Sequence, residues 1–142
     1  MRVLGIDFGE KRTGISISDE MGMIASPLKT IKTADINALV QEISAIAKEN
    51  KAAKIVLGLP LNMNGTSGAS AEKATSFMKL LQDATGLEVI LQDERLTTVS
   101  AHKVLNESNF SGSKKRKNII DTLASCMILQ AYLNKEAIKN GR

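Results

Sequence analysis

Val3-Leu4-Gly5-Ile6-Asp7-Phe8-Gly9 is an apolar run with a carboxylate set inside it. Met1 to Phe8 reads as a core strand, and the elements around it follow from the run. Thr13 to Ser18 alternates, Ile15 and Ile17 on one face against Ser16 and Ser18 on the other, which predicts a half-buried strand with the serines outward. Gly9-Glu10-Lys11-Arg12 is then the turn of a hairpin. Asp19-Glu20-Met21-Gly22 makes a second turn, and Met23 to Ile31 a third strand that Pro27 assigns to an edge. Ile36, Leu39, Val40, Ile43 and Ile46 recur at helical steps up to about Asn50. Ile55-Val56-Leu57-Gly58 is the short continuous apolar run of a central parallel strand. Ala74, Phe77, Met78 and Leu81 mark a second helix closing near Gly86, and Glu88 to Gln92 a fifth strand. Thr97 or Thr98 can cap a third helix through about Glu107, with Val104 and Leu105 inward. The last helix carries the stripe Ile119, Ile120, Leu123, Ala124, Met127, Ile128, Ala131 and Tyr132. At about 100° per residue, Asp121 falls at the margin of that stripe. The order βββαβαβαα predicts a mixed sheet with helices packed on it, an α/β fold in one domain spanning residues 1–142.

Composition removes several function classes. One cysteine, Cys126, allows neither an internal disulfide nor a cysteine zinc site and reads as a packed small side chain. The single histidine, His102, rules out a histidine metal cluster and a Ser-His-Asp site built in the usual way. Four aromatic residues, Phe8, Phe77, Phe110 and Tyr132, are too few for a base-stacking platform. No run approaches the ~20 apolar residues of a membrane helix, and no signal-peptide pattern opens the chain, so a cytoplasmic protein is expected.

A carboxylate in a core strand is costly to keep charged unless a cation meets it. Two further acidic islands end later elements: Asp93-Glu94 after Val89-Ile90-Leu91-Gln92, and Asp121 inside the last helix. Three elements each delivering a carboxylate predict a site for a hard divalent cation, Mg²⁺ or Mn²⁺, which takes oxygen ligands and water. Asp93 and Glu94 are adjacent strand residues and point to opposite faces, so one of the two reaches the metal. Asp121 also has a plainer reading, as the i,i+4 partner of Lys117. Lys114, Lys115, Arg116 and Lys117 together carry a charge equal to the whole net excess of +4. A basic run beside an acidic site suits a polyanion lying across metal-bound carboxylates, with Lys114 and Lys117 on nearly the same helical line as Asp121. Asn62-Met63-Asn64-Gly65-Thr66-Ser67-Gly68 joins a buried strand to a helix start, where backbone N–H groups and hydroxyls suit a phosphate oxygen. The Ser-, Asn- and Gly-rich stretch from Asn106 to Ser113 reads as a segment that orders over bound substrate.

Four motifs in order narrow the fold: Gly5-Ile6-Asp7-Phe8-Gly9-x-Lys11-Arg12-x-Gly14, Gly58-Leu59-Pro60-Leu61-Asn62-Met63-x-Gly65-Thr66, Asp93-Glu94-Arg95-Leu96-Thr97-Thr98 and Lys117-x-x-Ile120-Asp121-x-x-Ala124. Together they resemble the YqgF/RuvX family of small RuvC-like proteins. These are described as Holliday junction resolvases and as nucleases that mature the 5′ end of pre-16S rRNA. The resemblance implies a ribonuclease H-like fold, with a five-stranded mixed sheet whose first three strands are antiparallel and helices on both faces. It places Asp7, Glu94 and Asp121 at the catalytic and metal-ligating positions, favouring Glu94 over Asp93. It leaves Gly58 where some resolvases carry a fourth-strand acid. It implies substrate contacts at Lys11, Arg12, Asn62, Gly65, Thr66, Arg95, Thr97, Lys114 and Lys117.

The expected activity is phosphodiester hydrolysis with two divalent ions roughly 3.5–4 Å apart. The substrate class stays open between structured RNA and branched DNA, with ribosomal RNA maturation favoured. The protein would then be a monomer or a two-fold dimer. Two rivals come from other classes. An actin- or sugar-kinase-type nucleotide site shares the fold and an Asp-x-Gly opening, but 142 residues are expected to leave no room for the second domain it needs. A non-catalytic RNA-binding assembly factor is countered by the complete carboxylate trio.

Overall fold

A computed structural model of the chain describes residues 1–59, 69–93, 113–139 and 141, and the side chains of 1–58, 72–92, 121–139 and 141. In chain order the elements are β1 (Arg2–Asp7), β2 (Arg12–Ser18), β3 (Ala25–Lys32), α1 (Ile36–Glu49), β4 (Ala52–Leu59), α2 (Ala69–Thr85), β5 (Glu88–Asp93) and α3 (Ser113–Lys139). One five-stranded sheet has the order β3-β2-β1-β4-β5. The first three strands are antiparallel, and β1, β4 and β5 are parallel. Pro27 sits on the edge strand as its missing N–H requires, facing Ser16 across a register irregularity. β4 is central, with parallel neighbours on both sides, and its Ile55, Val56 and Leu57 are wholly buried.

Successive residues of the strands go to opposite faces. Leu4, Ile6, Ile15, Ile55, Leu57 and Val89 form one core cluster with Leu39 and Ile43 of α1 and Phe77 and Leu81 of α2. Val3 and Val56 form the other, with Ile128, Leu129, Tyr132 and Leu133 of α3. Helices therefore cover both faces, as expected. α1 starts where Asp35 caps it, its Oδ1 accepting from the N–H groups of Asn37 and Ala38 at 3.0 and 3.4 Å. The Asp19–Gly22 turn is held similarly, Asp19 Oδ1 accepting from the N–H of Met23 and Ile24, with Gly22 at φ +68°.

The seat of α3 departs from expectation. Ser16 and Ser18 are buried, not outward, and α3 turns Ala124, Ser125, Ile128, Leu129, Tyr132 and Leu133 inward while Ala131 is exposed. The buried face is thus rotated by about one residue from the apolar stripe, and Asp121 lies one turn before Ser125 on its line. The cause is a polar clasp. Ser125 Oγ donates to the Gly5 carbonyl at 2.9 Å and lies 2.9 Å from Ser16 Oγ. Ser18 Oγ accepts from the Val3 N–H at 2.8 Å. Hydrogen-bonded hydroxyls enter a core at little cost, so a purely apolar periodicity misplaces the face. Gly5 makes the clasp possible: a Cβ there would lie 2.4 Å from Ser16 Oγ and 2.8 Å from Leu129 Cβ.

The helix proposed from Thr97 to Glu107, residues 106–112 of the stretch that ends at Ser113, His102 and Phe110 lie outside the described residues, and Ser113 itself opens α3. Among the described residues, no helix is long and apolar enough to cross a membrane.

Candidate active site

Asp7 is the last residue of β1 and is half-buried. Its cross-strand partner is Gly14, and such partners project from the same face of a sheet. That face is the one α3 covers. A Cβ on Gly14 would stand 2.0 Å from the carbonyl oxygen of Asp121 and 2.4 Å from its carbonyl carbon. The backbone of α3 at Asp121 and Thr122 therefore rests directly on Gly14, the strand partner of Asp7. The backbone of Asp121 can come this close to that partner because residue 14 has no side chain.

Arg12 precedes Gly14 by two residues and so shares its face. Its Nε lies 3.0 Å from Asp121 Oδ2, with the arginine side chain 37% and the aspartate side chain 17% exposed. The contact is electrostatic more than directional, since Oδ2 is buried without a well-formed hydrogen bond. Burial pushes the Asp121 carboxyl above its ordinary range, and the Arg12 charge draws it only part of the way back. At Asp121 burial thus outweighs the arginine. Oxygen donors from two elements, one of them buried without a hydrogen bond, suit Mg²⁺ or Mn²⁺. Among the described residues no three His, Cys, Asp or Glu side chains group as a metal site. The expected third ligand, Glu94, lies outside the described residues, immediately after Asp93, which ends β5 opposite Leu59.

The remaining expected contacts divide. Arg12 joins Asp121, whereas Lys11 faces a cleft of about 710 Å³ that also takes in Phe8, Ile36, Lys73 and Phe77. The sheet end is therefore two-sided, with carboxylates under α3 and a stacked Phe8–Phe77 pair, centroids 4.3 Å apart, toward α2. Glu10 pairs with Lys73 at 2.7 Å, which holds its carboxyl below the usual range. Lys114 and Lys117 belong to the opening turns of α3, but their side chains lie outside those described. Asn62, Gly65, Thr66, Arg95 and Thr97 also lie outside the described residues. Cys126 is half-buried, and burial pushes its thiol up to about 11, which suits packing and not nucleophilic attack. The packing of Gly5 and Ser16 against Ser125 of α3 escaped the sequence reading; the signal available was small residues at facing positions of the two strands and the helix.

Comparison with known proteins bears on the family and the fold. A protein of Clostridium tetani provisionally named pre-16S rRNA nuclease is 47% identical over 94% of this chain and 96% of its own length. A protein of Ruminiclostridium cellulolyticum with the same provisional name is 46% identical over 96% of both chains. Among solved structures, RuvC of Thermus thermophilus in complex with a Holliday junction substrate shares the fold. Its TM-score is 0.60 at 14% identity, covering 96% of this chain and 95% of that one. That likeness identifies the sheet and helix arrangement as RuvC-like, within the ribonuclease H-like fold. The family model described as RuvX, Holliday junction resolvase, matches residues 1–135, and this chain belongs to that family.

Proposed function

We propose that the chain is a metal-dependent nuclease of the cytoplasm that processes the 5′ end of pre-16S rRNA. The observation that carries this reading is that the α3 backbone at Asp121 rests on Gly14, the strand partner of Asp7. The names of its relatives supply the substrate. Asp7, Asp121 and Glu94 would hold one or two Mg²⁺ or Mn²⁺ ions, which when bound would activate water and stabilise the leaving oxygen. The chain's own contribution is placement. Asp7 is held by a central strand, so its carboxylate starts from a rigid position. The α3 backbone, seated on Gly14, fixes Asp121 relative to it. Lys11, Arg12, Arg95, Lys114 and Lys117 would neutralise backbone phosphates, and Asn62, Gly65, Thr66 and Thr97 would orient them.

The family description favours a second reading, resolution of four-way DNA junctions. Purified protein challenged with precursor 16S rRNA and with four-way DNA junctions, under Mg²⁺ or Mn²⁺, separates the two. Cleavage near the mature 5′ end, lost with chelator, supports the first reading. Symmetric paired nicks in junctions with intact RNA would replace it by the second. Binding of RNA without cleavage of either substrate would make the protein an assembly factor.

A further inference from the structure

We infer that Arg12 is a resident counter-ion for Asp121: in the metal-free protein it holds the oxygen that a divalent cation takes over, and cation binding turns its guanidinium to a backbone phosphate of the substrate. The inference rests on the reading that Asp7, Asp121 and Glu94 hold divalent ions.

The geometry is that of a placeholder. Arg12 Nε stands 3.0 Å from Asp121 Oδ2, yet no well-formed hydrogen bond reaches that oxygen. A guanidinium that locks a carboxylate permanently makes two aligned N–H···O bonds. With the arginine side chain 37% exposed, the pair is also weak. A directly coordinated divalent ion exceeds it in charge and proximity, and once seated at Oδ2 it repels a guanidinium 3 Å away. The arginine must then leave, and only its side chain has to move. Its backbone is fixed at the start of β2, between the Gly9 turn and the Gly14 contact. A Cβ at Gly9 would lie 2.2 Å from the Arg12 carbonyl oxygen, so the turn is closed tightly on that residue. From a strand end beside the carboxylates, a displaced guanidinium meets whatever the metal brings in, and its planar fork matches a phosphate. The same side chain would serve both states: it neutralises a half-buried carboxylate while the site is empty and binds substrate once the site is loaded.

The test is a calorimetric titration of Mn²⁺ into wild type, Arg12→Gln and Arg12→Lys without nucleic acid, with the Arg12 Nε–H resonance followed by NMR as Mg²⁺ is added to wild type. If Arg12 competes with the cation, Arg12→Gln binds Mn²⁺ about fivefold more tightly than wild type. Arg12→Lys, which keeps the charge, stays close to wild type, and the Nε–H resonance moves as Mg²⁺ binds. Equal or weaker binding by Arg12→Gln, or an unmoved resonance in metal-loaded protein, would overturn the exchange while leaving the metal site standing. Absence of Mn²⁺ binding in all three proteins would remove the metal-site reading and this inference together. Melting curves in chelator confirm that both variants are folded.

Discussion

At the scale of single residues, the roles proposed for Asp7 and Asp121 depend on position, and Cys126 is marked by its half-buried thiol. Asp7→Asn keeps shape and removes charge. Cleavage is expected to fall by about two orders of magnitude or more, the size of effect seen when one preorganised electrostatic group is lost. Far- and near-UV circular dichroism should match wild type, and retained turnover in Mg²⁺ would remove Asp7 from the chemistry. Cys126 gives a pH-dependent prediction. Its thiol is raised from an ordinary 9.0 to about 11, so the reactive thiolate is scarcer in the folded chain at any pH below both values. Iodoacetamide at pH 8 should label native protein about a hundredfold more slowly than urea-unfolded protein, apart from any effect of access. Equal rates would mean that the thiol is exposed and its burial is misassigned.

At the scale of elements, the contact between α3 and the β1–β2 hairpin decides the site. A methyl at residue 14 would overlap the Asp121 carbonyl, and backbone cannot turn aside as a side chain can. Gly14→Ala should therefore lift α3, costing roughly 3 kcal/mol, the upper range for overpacking, and lowering the melting temperature by about 10 °C. Cleavage should fall more than tenfold with every proposed ligand still present, because small misplacements are expensive in catalysis. Wild-type melting and activity in this variant would show that the helix does not depend on the contact. The strands and α1 were legible in the sequence because they are built from apolar residues at regular spacing. Pro27 marked its own edge, and Ile55-Val56-Leu57 marked the centre. α3 was legible as a helix but not in its rotation: Ser125, Ser16 and Gly5 make its closest contacts, and none of them registers on an apolar count.

At the scale of the whole molecule, charge and chain order matter most. The Lys114–Lys117 run opens α3 only a turn or so before Asp121. Substituting Lys114→Gln and Lys117→Gln should weaken nucleic-acid binding on all sequences alike. The slope of log affinity against log salt should drop by about 0.7–0.9 for each phosphate contact removed, the smaller value for single strands. The rate at saturating substrate should hold, and an unchanged slope would return these lysines to plain solvated surface. Of the proposed site, Asp7 stood out in the sequence because a charge inside an apolar run is conspicuous. The Arg12–Asp121 pair did not, since nothing local connects a turn near the beginning of the chain to its last long helix. That same separation has a consequence during synthesis. Asp7, Arg12 and Gly14 are made well before the helix that lands on Gly14, which follows all five strands. A growing chain can pair β1 with β2 and β4 yet hold no Asp7–Asp121 face, so its ability to cut nucleic acid would arise abruptly, when α3 comes free and docks. An enzyme of this build would be harmless to the ribosomal RNA around it for most of its own translation.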